Sequence, residues 1–266
     1  MKGTHVEIIL VILTFAATVI GAISGIGGGV IIKPAMDALV DFPIATISFL
    51  SGSTVLAMTA VSLLRSRKDT ISVDPLVGTP LALGGAIGGV AGKMVFSWVK
   101  AAAGNNALIG MIQNIIMVVL TATVFIYVLE KARIHTLQVT SKGVAGLLGF
   151  VLGVFSSFLG IGGGPINIMF LSYFFSMDSK HAALNSLYII FFSQVANFLT
   201  NVIQGTFPEF NMLLLVSMMV TGIVGAMVGR SLTKRLANEQ VDRLFMGVML
   251  LIVFLSAFNV WKFASL

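Results

Sequence analysis

The residues in this chain best suited to chemistry are glycines. Gly25-Ile26-Gly27-Gly28-Gly29 recurs as Gly160-Ile161-Gly162-Gly163-Gly164, each copy inside a long apolar run. A glycine costs about 1 kcal/mol relative to alanine in a helix interior, so three in succession break a helix. Unwound backbone at membrane depth is tolerated only where protein buries it or water reaches it. Each break therefore exposes backbone N–H groups and starts a new half-helix, at Val30 in the first copy and at Pro165 in the second, where proline suits a first turn. A helix N-terminus carries roughly half a positive charge and attracts anions. Two such ends facing each other would hold an anion without any buried Arg or Lys. Close helix packing is the competing use of glycine. The duplication of the run, and the excess length of the segments that carry it, favour a binding site.

Polar residues extend this candidate site. Ser24 precedes the first break, Asn167 follows the second, and Lys33 follows the first with Ile168 in the matching place of the second copy. Ser48 and Asn185 are equivalent in the two copies. Gln194, Asn197 and Asn201 fall on one helical face, since residues three and four apart are neighbours. Their amides could complete the hydrogen bonds of an oxyanion, although such side chains also hold membrane helices together. Lys93 and Arg230 occupy matching places near helix ends, where long cations snorkel to the interface. The carboxylates Asp37, Asp41 and Asp178 lie near segment ends, so no proton relay through a buried acid is expected. His5, His135 and His181 are isolated, and the chain has no cysteine. Metal ligation and thiol chemistry are therefore not expected, nor is any cofactor.

The elements that must position these residues are membrane spans. Of 266 residues, 57% are hydrophobic and 10% charged, whereas an ordinary domain is nearer a quarter charged. The mean hydropathy is +1.04. Charge-free runs extend from Ile8 to Ile32, Ala101 to Leu129, Gly143 to Met177 and Phe210 to Gly229, and about 18 apolar residues suffice to span a bilayer. Eight segments are expected: 6–35, 43–64, 75–99, 105–129, 143–176, 181–204, 209–230 and 243–262. The net charge of +6 fits basic residues retained at the cytoplasmic face. No basic stripe with interleaved aromatics points to nucleic acid.

The repeat divides the chain into residues 1–132, a cytoplasmic linker 133–142, and residues 143–266. Beyond the glycine runs, Asp41 through Leu50 aligns with Asp178 through Leu187. Gly85, Gly88, Gly92 and Lys93 align with Gly222, Gly225, Gly229 and Arg230. Four full crossings per half would leave Arg230, Lys234, Arg235 and Arg243 on the outside, against the positive-inside rule. A first segment that doubles back makes the halves inverted. It places those residues inside with Arg65, Arg67, Lys68, Lys131, Arg133, Lys142 and Lys180. Lys2, Lys93, Lys100 and Lys262 then lie outside. The run Gly143–Met177 is 35 residues long, roughly 52 Å as one helix against a hydrocarbon core of about 30 Å. A crossing plus a re-entrant half-helix fits that length. The expected fold is thus all-α and polytopic, with two inverted repeats, an architecture common among transporters.

These motifs resemble the sulfite exporter TauE/SafE family of membrane permeases. The resemblance rests on Ser24-Gly25-Ile26-Gly27-Gly28-Gly29 with Pro34, on Leu159-Gly160-Ile161-Gly162-Gly163-Gly164-Pro165, and on the Gly85–Lys93 and Gly222–Arg230 patterns. It covers the whole chain. It implies a multi-pass permease of a prokaryotic inner membrane that carries small sulfur-containing anions such as sulfite, sulfonates or sulfoacetate. The two half-sites differ, with Leu159 in the place of Ser24 and Met169 in that of Pro34. The expected substrate-binding set is Ser24, Gly25, Gly27, Gly28, Gly29, Lys33, Ser48, Gly160, Gly162, Gly163, Gly164, Asn167, Asn185, Gln194 and Asn197.

Competing readings remain open at this level: a passive anion channel, or a permease for another small organic anion. A channel needs a continuous polar lining, whereas the polar residues cluster in the middles of two segments. An intramembrane serine protease would need a base beside Ser24, and none lies mid-span. A membrane scaffold without substrate would not explain the duplicated breaks. The coupling ion, H+ or Na+, and assembly as a homodimer are left open.

Overall fold

The computed structural model describes residues 2–67, 71, 73, 75–131, 133–161 and 163–265, with the backbone alone for 2–5. Gly162 and Lys68, named above, lie outside the described residues. Among the described residues ten helices follow in order: α1 (Lys2–Ser24), α2 (Gly29–Leu39), α3 (Ile44–Ser66), α4 (Pro75–Ala103), α5 (Asn106–Glu130), α6 (Lys142–Leu159), α7 (Pro165–Phe175), α8 (Ser179–Gln204), α9 (Met212–Thr233) and α10 (Asn238–Ala264). Eight are long and apolar enough to cross a membrane, and α2 and α7 are not. The first and fifth expected segments are each split at their glycines into a long helix and an 11-residue half-helix.

Helix ends follow local chemistry. Asn105, Ser141, Asp178 and Asn211 each cap the helix that follows by accepting backbone N–H bonds, the role their short polar side chains favour. Burial alone would raise the Asp178 carboxyl. The N–H and imidazole of His181 and the N–H of Lys180 outweigh this and hold it below the usual carboxylate range. The half-helix α7 opens on Pro165, as expected, with extended Gly164 as its cap. The other half-helix, α2, opens at Gly29, with Gly28 before it.

The bundle has two ends, identified by the bonds that join them. At one, Asn211 donates to Glu7 (3.0 Å), Thr46 donates to the Glu209 carbonyl (2.8 Å), and Lys262 reaches the carbonyl of Asp37 (3.1 Å) and the carboxylate of Asp41 (3.0 Å). Both α1 and the return leg α2 therefore meet this end. At the other, Lys131 and Ser179 both contact Asp242, and Lys180 N–H donates to Asn238 (3.3 Å). The chain between α5 and α6 lies there too, with Leu137 and Val139 N–H groups on the carbonyls of Tyr173 and Phe174 at the end of α7. Both α6 and α7 therefore meet this second end.

The two halves interlock. The third long helix of each half packs on the first of the other: α4 on α6, and α9 on α1. Glycine makes these approaches close. A Cβ added to Gly84, Gly88 or Gly92 would lie 2.0, 2.0 or 2.4 Å from the carbonyl oxygens of Gly146, Phe150 and Val154. On the other side, one added to Gly229 would lie 2.4 Å from that of Val19. The glycine pattern of these segments is thus a packing device, a small-residue stripe that lets helix backbones touch. Outward from the seams, Ile12, Leu83, Ile87, Ile126, Leu147, Phe254 and Trp261 are exposed, which suits a lipid-facing band. Buried threonines avoid the cost of an unpaired hydroxyl by bonding back one turn, as Thr14, Thr54 and Thr59 do.

Candidate functional site

The two breaks meet inside the bundle. A Cβ added to Gly29 would lie 2.1 Å from the Ile161 carbonyl oxygen, so the start of α2 and the end of the α6 turn are in backbone contact. Ile190 of α8 lies between the copies: its Cδ1 is 3.4 Å from the place of a Cβ on Gly27 and 2.3 Å from one on Gly163. Gly27 (φ +75°) and Gly160 (φ +67°) are left-handed, a conformation that favours glycine. Gly160 there ends α6, and its N–H caps back onto the carbonyls of Ser156 and Ser157. Gly28 donates its N–H to the Met58 sulfur (3.3 Å), and Gly25 packs on Ala183. Asn167 follows the second break within the first turn of α7. It is buried, with its Oδ1 lacking a protein partner.

From one end of the bundle a vestibule of about 200 Å³ descends toward this contact. Its walls carry Lys93, Lys100, Ser97 and Ser157, with Asn197, Asn201 and Thr206 across from them. Gly160, of the second break, and Ser48 also line it. A Cβ on Gly160 would meet Ser48 Oγ at 2.3 Å, and that hydroxyl has no protein partner. Beside the vestibule, Gln194 joins Asn197, Asn201, Ser48 and Ser53 around a smaller cavity. The face expected from the spacing of Gln194, Asn197 and Asn201 is therefore used as one lining. Lys93 donates to Asn201 Oδ1 and reaches Thr206 Oγ1 at 3.5 Å. It faces this cavity from the middle of a hydrogen-bonded cluster, where a simple snorkelling cation was the plainer expectation. Lys93 is half-buried, whereas Arg230, its counterpart, is buried near the far end of α9.

Lys33 lies directly behind the vestibule floor, its Cε 3.4 Å from the place of a Gly160 Cβ. It is buried and forms an ion pair with Asp37 one turn on (2.9 Å). Asp37 does lie near the end of its segment, in the last turn of α2, but it is buried there, which corrects the expectation that the chain holds no buried acid. It is only 1% exposed because α5 and α10 close over this part of α2. Asn114 of α5 donates to the same carboxylate oxygen (3.3 Å), and Asn259 of α10 donates to Asn114 (3.2 Å) and to the Pro34 carbonyl (2.8 Å).

Two expected site residues lie apart. Ser24 donates to the Ile20 carbonyl within its own helix (2.8 Å). Asn185 donates to the His181 carbonyl (2.9 Å) and lines a cavity at the opposite end with Asp178 and His181. Residues not singled out from sequence but lining the vestibule include Lys100, Ser157 and Thr206. Their shared location depends on α4, α6 and the α8–α9 connection meeting in space, which no local spacing encodes.

An interlocked bundle of membrane-length helices, with two broken segments meeting beneath a basic vestibule, is the form of a multi-pass membrane transporter. The chain belongs to the family described as Sulfite exporter TauE/SafE, which matches residues 10–256. It is also similar to the probable membrane transporter protein YunE of Bacillus subtilis (strain 168), at 24% identity over 92% of this chain and 95% of that protein. No solved structure gives a significant match.

Proposed function

We propose that this chain is a permease for small sulfur-containing anions, such as sulfite, sulfonates or sulfoacetate, in the inner membrane of a prokaryote. It works by alternating access about the place where the two glycine breaks meet. The observation that carries this reading is the contact of the two breaks beside a vestibule that the second break reaches at Gly160 and that two lysines and several amides and hydroxyls line. Lysines raise the local concentration of an anion. Amide and hydroxyl donors, with the half-helix N-termini below, replace its hydration. The family's printed description supports the sulfur-anion class.

The halves 1–132 and 143–266 act as inverted repeats. Supporting this, α1 and α2 both meet the end that carries Asn211 and Lys262, whereas α6 and α7 both meet the end that carries Asp242. Arg65, Arg67, Lys131, Arg133, Lys142 and Lys180 gather at the second end, which the positive-inside rule makes cytoplasmic. The vestibule then opens away from the cytoplasm, and this conformation faces outward. Repeat-equivalent Ser48 and Asn185 line cavities at opposite ends, as two alternating entrances would require.

Thermal stabilisation of the purified protein tests the substrate class. A ligand that binds only the folded form raises the apparent stability, by about 2.7 kcal/mol at a hundred times its Kd. Sulfite, thiosulfate, sulfoacetate and methanesulfonate are expected to raise the melting temperature. Stabilisation by simple carboxylates alone, or by none of these anions, would overturn the sulfur-anion reading.

A further inference from the structure

The buried Lys33–Asp37 pair has no counterpart in the second half, where Ile168 and Ser172 stand at the matching positions. A buried ion pair is costly to maintain, because desolvation offsets most of its Coulombic gain. It sits where it can act on the anion. Lys33 lies behind Gly160 and Ser48 at the vestibule floor. The Asp37 Oδ1 atom is buried and lacks a protein partner.

We propose that Lys33 and Asp37 form a proton-linked switch, in which the anion and a proton bind together. The inference rests on the reading that the vestibule admits an anion. In the state described, the Asp37 carboxylate neutralises the Lys33 ammonium, so the floor offers an incoming anion no net charge. When the ammonium turns to the anion, Asp37 loses its counter-charge. A buried carboxylate without a counter-charge favours its neutral form, and Oδ1 takes one proton from the same end of the bundle, where Lys262 bonds the Asp37 carbonyl. The site then holds one anion and one added proton, and reversal releases both. Anion affinity rises on acidification, and by linkage the anion raises proton uptake by the same factor.

The charged groups around Asp37 fit this role. Lys33 is on its own helix. From α10, Lys262 bonds the Asp37 and Ala38 carbonyls and the exposed Asp41 carboxylate, and so serves the end of α2. From α5 comes the neutral amide of Asn114. The first turns of α3 bring hydroxyls and apolar groups, and Glu7 of α1 is held by Asn211.

The test uses the full chain in liposomes and methanesulfonate, whose charge does not change between about pH 5 and about pH 8. Infrared difference spectra at fixed pH are expected to show a carboxylic-acid C=O band on addition of methanesulfonate, absent in Asp37→Asn. Thermal stabilisation by methanesulfonate is expected to strengthen about tenfold in apparent Kd per pH unit of acidification over the linked range, and to become pH-independent in Asp37→Asn. Lys33→Met is expected to lose the anion-induced band. Methanesulfonate binding with no Asp37-dependent band, or with the same pH slope in Asp37→Asn, overturns the switch and leaves the sulfur-anion reading intact. If methanesulfonate does not bind, that reading fails and the switch, which needs a bound anion to draw Lys33 away, fails with it.

Discussion

Gly29 lies against Ile161, so close that a Cβ on the glycine would stand 2.1 Å from the isoleucine's carbonyl oxygen. The contact is backbone to backbone and joins the two glycine breaks directly. Neither side can yield by turning a side chain. Gly29→Val is therefore expected to force the breaks apart and to abolish transport, at a stability cost of about 1–3 kcal/mol, typical of overpacking. Flux in proteoliposomes and melting of the same preparation check this. Normal flux would mean that the contact has no part in the site.

Much of this was legible in the sequence. The eight long spans stand out because apolar runs of about 18 residues or more are the length a bilayer requires. The breaks stand out because duplicated glycine triplets cannot stay helical. Asp37 lies near a segment end, as read, but its burial was not legible, because α5 and α10 close over it only in the folded bundle. Once Gly29 restarts the helix, Lys33 and Asp37 are one turn apart within it, and their i, i+4 spacing was the available signal. The pairing of Lys93 with Asn201 was not legible, since α4 and α8 meet only in the folded bundle. Nor did alignment of Ser48 with Asn185 reveal that they line cavities at opposite ends.

Ile190 touches both breaks at once, so it sets their spacing from one side. Ile190→Ala removes that spacer and leaves a cavity. The expected destabilisation is about 2–5 kcal/mol, read as a lowered melting temperature, and the rate of transport should fall with it. A variant that melts like the wild type would show that the breaks are held by other contacts.

Lys93 offers charge at the vestibule, where the Lys93→Gln variant keeps a hydrogen-bond donor for Asn201 but removes the cation. The expected effect is a rise in KM of about tenfold, equivalent to about 1.4 kcal/mol, with little change in maximal rate. The loss should shrink as salt screens the field, the Debye length being about 8 Å at physiological ionic strength. A fall in maximal rate at unchanged KM would assign Lys93 to the conformational step.

The absence of native cysteine gives a clean background for labelling. Thr206 lines the vestibule, so under the proposed topology Thr206→Cys is expected to react with an impermeant maleimide in intact cells. Ser176→Cys, at the opposite end beside Leu137, is expected to react only after permeabilisation. Equal labelling of both in intact cells would contradict the inverted arrangement.

The most direct measurement of the central claim is uptake of radiolabelled sulfite and a labelled sulfonate into proteoliposomes, comparing the wild type with Gly163→Val. That substitution places a side chain against Ile190, at a residue whose φ is +150°. The account predicts saturable uptake by the wild type, competition by other sulfur anions but not by simple carboxylates, and loss of uptake in a variant that still inserts. Saturable uptake that survives Gly163→Val, or that carboxylates compete away while sulfur anions do not, would contradict it.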